Sequence, residues 1–261
     1  MPDIEATIVY SIDDGVKPVT ETVGPGGRLR RRTGVDDRRR VSIADARARP
    51  HDLDREGFTL VEHPSRTNDY WNEECLRRVY YAEITERLQN LCHGARVEIF
   101  DHTLRSTRSL QQEEHHAREP VHLVHNDYTV RSGPWRLEAV LPEAVGRGRF
   151  AIIQVWRSLS DRVHNHALAL CDAQSVAQED LIPAERRHPN RVGEIYQLRF
   201  NPNHRWFYFS EMEPEEAVVF KVYDSSTDGR ARFTPHTAFA DPDAPMGAER
   251  ESIEIRALVC W

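Results

Sequence analysis

From residue 97 to its end the chain breaks into eight short runs rich in β-branched and aromatic residues, at 97–100, 121–130, 150–156, 167–171, 195–200, 205–209, 217–223 and 252–261. Segments carrying Gly, Pro, Asn, Asp and Ser separate them, so each run has the length and punctuation of a strand. Short strands in such series fold into a sandwich or a barrel, not a doubly wound parallel sheet. Neither a G-x-G-x-x-G nor a phosphate-binding loop is present, and no internal repeat of 20–50 residues. No apolar run approaches the length of a membrane-spanning helix.

The first 95 residues read differently. Thr7-Ile8-Val9-Tyr10 suggests a short strand. The stretch from Gly24 to about Arg40 holds seven arginines; it reads as a solvated loop in preference to an anion-binding arm, because blocks of like charge are usually solvated. Asn68 or Asp69 is the expected cap of a helix running to about Cys92, with Gly94 as its stop signal. Leu76, Tyr80, Ile84, Leu88 and Leu91 fall at steps of four or three and make its apolar face. A single domain over 1–261 is expected, with an N-terminal α/β extension at 1–95 leading into a β-barrel core at 96–261.

Composition narrows the classes of function. Net charge is −7, and 33 of the 35 basic residues are Arg with no basic domain, which argues against a nucleic-acid partner. The four cysteines, Cys75, Cys92, Cys171 and Cys260, are scattered with no C-x-x-C pair and read as reduced thiols of a cytoplasmic protein. Met1-Pro2-Asp3-Ile4-Glu5 lacks the apolar core of a secretory signal.

Histidine is abundant, at 13 residues. His125 and Asp127 lie in a β-like run, two residues apart, and so project from one face. With that many histidines a single His-x-Asp is what chance supplies, so order must carry the reading. His236 follows 111 residues later, after several strands, and would complete a face of two imidazole nitrogens and one carboxylate oxygen. That is the facial triad of non-haem Fe(II) oxygenases. Arg250 opens the last strand fourteen residues beyond His236, with Ser252 on the same face. A planar, bidentate cation followed by a hydroxyl suits the distal carboxylate of a dicarboxylate co-substrate. The competing readings are a surface ion pair for Arg250 and a loop histidine beside Pro235 for His236.

Other residues carry weaker expectations. Arg256 shares a face with Glu254 and is assigned to an internal ion pair or to substrate, with co-substrate binding as its rival role. Arg157 either reaches a carboxylate ligand or makes an ion pair on the barrel face. The polar segment from Ser106 to Glu119, with His115 and His116, reads as a flap over the site or an exposed loop. His164 and His166 read as polar surface in preference to a second metal pair, and His102 as a cavity-lining or strand-capping residue.

At these residues the sequence resembles a family of hydroxylases and desaturases that includes gibberellin desaturase-like and aspergillic-acid hydroxylase-like fungal enzymes. The family also takes in the smaller protein of the bacterial cephamycin methoxylation pair. The likeness is carried by Asp45-Ala46-Arg47, Asp54-Arg55-Glu56-Gly57-Phe58, Val97-Glu98-Ile99-Phe100-Asp101-His102-Thr103-Leu104-Arg105 and Val121-His122-Leu123-Val124-His125-Asn126-Asp127-Tyr128-Thr129. It continues through Val155-Trp156-Arg157, Leu170-Cys171-Asp172-Ala173, Lys221-Val222-Tyr223-Asp224-Ser225 and Pro235-His236-Thr237-Ala238-Phe239 to Arg250-Glu251-Ser252-Ile253-Glu254-Ile255-Arg256. One departure is Ser158-Leu159-Ser160, where relatives tend to carry a proline, and it bears on a loop shape.

The resemblance implies a mainly β protein with α elaborations around a double-stranded β-helix (jelly-roll, cupin-like) core. It implies an oxygenase using Fe(II), 2-oxoglutarate and O₂ on a small natural-product substrate, by hydrogen abstraction that ends in hydroxylation, desaturation or cyclisation. Carried over residue by residue, His125, Asp127 and His236 are the metal ligands, and Arg250 with Ser252 anchors the co-substrate. A homodimer or a partner biosynthetic enzyme is compatible with it. Two other readings stay open: an accessory protein that binds a substrate or an enzyme of a pathway, and a cupin-like metal enzyme that uses no 2-oxoglutarate.

Overall fold

The computed structural model describes residues 3–24, 28–93, 96–189 and 191–261; Gly94, the expected helix stop, lies outside them. The strands of the first third are β1 (Ile4–Ile12), β2 (Val19–Val23), β3 (Arg28–Arg32), β4 (Val35–Asp45) and β5 (Phe58–Glu62). The helical region follows as α1 (Glu73–Cys75), a π turn (Leu76–Tyr80) and α2 (Tyr81–Leu91). Next come β6 (Arg96–Ser106), α3 (Ser109–Glu114), β7 (His125–Asn126) and α4 (Ser132–Val140). Then β8 (Phe150–Ser158), β9 (Leu168–Cys171), β10 (Leu181–His188), β11 (Arg191–Leu198) and β12 (Trp206–Tyr208) succeed one another. The last strands are β13 (Glu216–Asp224), β14 (His236–Ala238) and β15 (Glu251–Cys260).

Two sheets result, ordered β1-β4-β12-β9-β14-β7-β11-β10-β2-β3 and β5-β13-β8-β15-β6. The pairing is mostly antiparallel, as a jelly roll requires, with β10–β2 and β12–β4 the parallel exceptions. Strand alternation explains how the small sheet faces two ways. In β8 the residues Phe150, Ile152 and Trp156 join a core shared with Ile8, Tyr10, Leu170 and Leu198 of the large sheet. The intervening Ala151, Ile153 and Val155 join a second core with Leu76, Tyr80, Ile84 and Leu88 of the helical region. The expected apolar helix face is therefore real, and it caps the outer side of the small sheet. Its start is shifted: Asn72, not Asn68 or Asp69, accepts the capping bond, from the Cys75 N–H at 2.9 Å.

The arginine-rich stretch is not a solvated loop. Within its described part, β3 and β4 are strands, and β4 pairs with β1 from residue 35 to residue 43, so that Arg38, Arg39 and Arg40 stand opposite Val9, Ile8 and Thr7. The apolar partner strand carries the pairing, while the arginines keep their charge toward solvent. Conversely, the run at 121–130 is paired only at β7 and at a bridge between Val9 and Leu123. Thr129 and Ser132 end it: each hydroxyl accepts the other residue's backbone N–H, which turns the chain into α4. The segment beyond Ser106 contains α3, a helix not expected there.

Candidate active site

Two of the three shortest strands, β7 and β14, lie side by side in the middle of the large sheet, and they carry the site. His236 of β14 stands directly opposite His125 of β7. Asp127 follows β7 immediately. Across the interior, the first three inward residues of β15 are polar (Ser252, Glu254, Arg256), as is Gln154 of β8, and all four are buried. A sandwich interior is apolar by default, so a buried polar strip facing two histidines is the signature of a site.

Side-chain bonds stand in for the missing strand length. Asn126 donates through Nδ2 to the carbonyls of Tyr128 and Val222, at 2.7 and 2.8 Å, and its Oδ1 accepts the Thr234 N–H at 3.1 Å. Thr234 donates in turn to the Gly57 carbonyl at 3.0 Å. Gly57 has φ +91°, and a Cβ there would sit 2.3 Å from the Thr234 hydroxyl. Only glycine fits both the backbone and the approach.

The imidazole tautomers follow from the hydrogen bonds. Nδ1 of His125 donates to the Leu123 carbonyl at 2.8 Å and Nδ1 of His236 to the Thr234 carbonyl at 3.0 Å. Each Nε2 is thereby left with a lone pair, the arrangement that orients metal-binding histidines. His125 Nε2 lies 3.5 Å from Asp127 Oδ1, and the two rings are 4.5 Å apart. The ligand atoms of His125, Asp127 and His236 all fall within 4.8 Å of one another, the one such His/Cys/Asp/Glu group found among the described residues. Burial, with the other histidine next, pushes His125 down to about 3, so the ring is neutral and able to ligate. Burial alone would raise Asp127, but Arg256 beside it, then the two histidines, hold it well below the usual carboxylate range. Two neutral nitrogens and one carboxylate oxygen fit a divalent iron with open positions.

The four arginines and serines singled out in the sequence divide sharply. Arg250 is buried; its guanidinium donates to the His166 carbonyl and to Ser252 Oγ (2.9 Å) and lies 5.1 Å from the Trp156 ring. It forms no ion pair among the described residues, its Nε has no partner, and burial pushes it down to about 9. Burying a guanidinium without a carboxylate is costly unless an anion joins it. Arg256 is already spent: it binds Asp127 (2.8 Å), Asp101 and Thr103 (both 3.0 Å) and Glu254. It is the internal ion pair of the two roles expected. Arg157 is not with the triad. Alternation along β8 turns it to the helix side, where it donates to Tyr70 Oη at 2.8 Å and to the His63 carbonyl. The co-substrate role suggested for it does not survive that geometry.

Of the remaining histidines, His102 bonds Tyr81 Oη at 2.8 Å on the rim of a cavity, and His166 packs against His122, rings 5.2 Å apart. His115 lies against Trp71. Sequence reading missed Gln154, which donates to Asp127 Oδ2, and the cavity arginines Arg118 and Arg186. Gln154 could have been found as the one polar residue in Phe150-Ala151-Ile152-Ile153-Gln154-Val155-Trp156. Two cavities flank the triad: one of about 880 Å³ reaches His125, and one of about 490 Å³ reaches Asp127 and Arg256.

Comparison with known proteins agrees with this geometry. A family described as the oxidoreductase/YMDC permease-like domain matches residues 8–260, and the chain belongs to it. The hydroxylase/desaturase CTB9 of Cercospora beticola is 31% identical over 91% of this chain and 80% of its own. The alpha-ketoglutarate-dependent dioxygenase phiK of a fungal species is 29% identical over 86% of this chain and 85% of its own. In three dimensions the chain is similar to a variant of the iron and alpha-ketoglutarate-dependent endoperoxidase NvfI, with TM-score 0.89, 25% identity and coverage of 100% of this chain and 98% of the other. Fold, triad and relatives together define an Fe(II)/2-oxoglutarate-dependent oxygenase.

Proposed function

We propose that the chain oxidises a small natural-product molecule with O₂, with Fe(II) held by His125, Asp127 and His236 and 2-oxoglutarate held at its distal carboxylate by Arg250 and Ser252. The carrying observation is the pair of Nδ1 hydrogen bonds that leave both Nε2 lone pairs and Asp127 Oδ1 converging on one point. When bound, iron and 2-oxoglutarate supply the oxidising power, with the co-substrate decarboxylated to succinate and CO₂. The chain's own part is positioning. Arg256 and Gln154 hold Asp127 Oδ2 and so leave Oδ1 to the metal. Arg250 offers a planar fork where a lysine would offer a point charge. Trp156 and Phe220, packed against Arg250 and His236 respectively, keep water from the interior face. Hydroxylation, desaturation and cyclisation all fall within this reading. A cytoplasmic location is part of it, supported by four free thiols.

The test is release of CO₂ from carboxyl-labelled 2-oxoglutarate by the purified chain. The expected result is release that needs Fe(II) and O₂ and falls at least about tenfold in Arg250→Gln. An isolated chain that binds 2-oxoglutarate but never releases CO₂ would favour the accessory role beside a partner enzyme. O₂ uptake without 2-oxoglutarate would favour a cupin-like metal enzyme.

A further inference from the structure

The charges around the triad are not balanced. Arg105 closes on Glu254 at 2.8 Å, and Arg256 takes Asp127, Asp101 and Glu254, so the three carboxylates nearest the site are occupied. Arg118 and Arg186 form no ion pair among the described residues, and the Nε of Arg186 is buried without a hydrogen-bond partner. With Ile195 they are the residues shared by the walls of both cavities, so they stand where the two meet beside the metal ligands. The other carboxylates on those walls are committed or turned away. Asp36 is paired with Arg32, Glu194 with Lys17, and the Glu119 side chain is exposed. Burial, and then the neighbouring arginines, lower both cations against the pull of Asp127 on Arg186 and of Glu254 on Arg118; Arg186 is pushed down to about 10. Two guanidinium groups that face one space without a directly paired carboxylate repel each other, and a bound anion offsets that cost.

We propose that Arg118 and Arg186 bind a carboxylate of the primary substrate, so that this oxygenase takes small organic acids. The proposal rests on the oxygenase reading above, with Arg250 as the co-substrate anchor. A carboxylate matches the guanidinium fork. The rest of the larger cavity wall, with Val9, Leu29, Val121, Leu123 and Ile195, suits an apolar body of drug-like size. An acid held at the junction lays its body along the wall that ends at His125.

The test uses protein loaded with redox-inert Zn(II) and saturated with 2-oxoglutarate, so that neither the metal nor the co-substrate socket is free. The probes are 4-phenylbutyrate, 6-phenylhexanoate and their primary amides, titrated by ligand-observed NMR. At least one acid is expected to bind about tenfold more tightly than its amide, a difference of about 1.4 kcal/mol. Arg118→Gln and Arg186→Gln should each erase that preference while 2-oxoglutarate affinity stays within about twofold, and Arg186→Lys should keep part of it. A thermal midpoint close to wild type in each variant certifies the fold. Acids that bind no better than amides, or do not bind, overturn the proposal. So does a variant that loses 2-oxoglutarate in place of the acid, because the pair then belongs to the co-substrate. Failure of the wild type to bind 2-oxoglutarate is a separate result; it removes the oxygenase reading and this proposal with it.

Discussion

Asp127 answers to four groups at once: Oδ1 faces the two histidines, while Oδ2 accepts from Arg256 and from Gln154. Its direction is therefore set by residues that do not themselves touch the metal point. Removing a histidine deletes a ligand: His125→Ala and His236→Ala should lose bound iron by metal analysis yet keep the wild-type circular dichroism. Full iron occupancy in both variants would sink the triad. Arg256→Lys keeps a charge but loses the fork that grips Asp127 and Glu254 together. Iron affinity is expected to fall by about 10-fold to 100-fold, the range seen when a group orienting a metal ligand is lost. KM for 2-oxoglutarate should stay near wild type, whereas Arg250→Lys should raise that KM and leave iron binding alone. At this scale the triad was legible because two of its members are two residues apart and the third follows in the order a barrel needs. Arg157 was not, because sequence alternation says which residues share a face but not which face looks inward.

At the scale of elements, the turn after β5 stores a pH dependence. His63 is buried, its Nε2 has no partner, and its carbonyl accepts from Arg157. Burial, then the Arg157 charge, push it from an ordinary 6.5 down to about 4. The unfolded chain thus binds a proton that the folded chain refuses between those values. Its contribution to stability is whole above pH 6.5 and is lost as pH falls from there to 4, by about 2–3 kcal/mol. Urea midpoints at pH 7.5 and 4.5 should differ less for His63→Gln than for wild type; equal differences would clear His63 of the effect. Elements were legible where periodicity was self-supporting, as in Leu76, Tyr80, Ile84 and Leu88, all fully buried. They were not legible where pairing came from elsewhere. Strand β4 is held by β1, and β10, lying between β11 and β2 and carrying Pro183, has no alternation to announce it.

Considered as a whole, the molecule carries a short helical segment beside its larger cavity. The segment 106–119 carries α3, and Gln112 and Ala117 line the larger cavity. Its backbone bonds to the frame include Thr107 N–H to the Arg250 carbonyl at 3.0 Å and Arg118 N–H to the Leu104 carbonyl at 2.9 Å, while Ser106 N–H closes the segment on itself at the Arg118 carbonyl. Hydrogen exchange there should slow when a bound acid and 2-oxoglutarate fill the interior; equal exchange with and without them would leave the segment a plain surface helix.

The Asn126 clamp has a consequence for how such a protein diversifies. It fastens the metal-bearing strands to β13 and to the Thr234 turn, whereas Thr20, Thr22, Leu29, Arg32 and Arg38 of the cavity wall come from β2, β3 and β4 at the far reaches of the large sheet. Mutations in β2, β3 and β4 can thus reshape what the cavity accepts without touching the Asn126 clamp or the Gly57 contact that hold His125 and His236. New substrates are open to such a scaffold while its oxidising chemistry stays inherited.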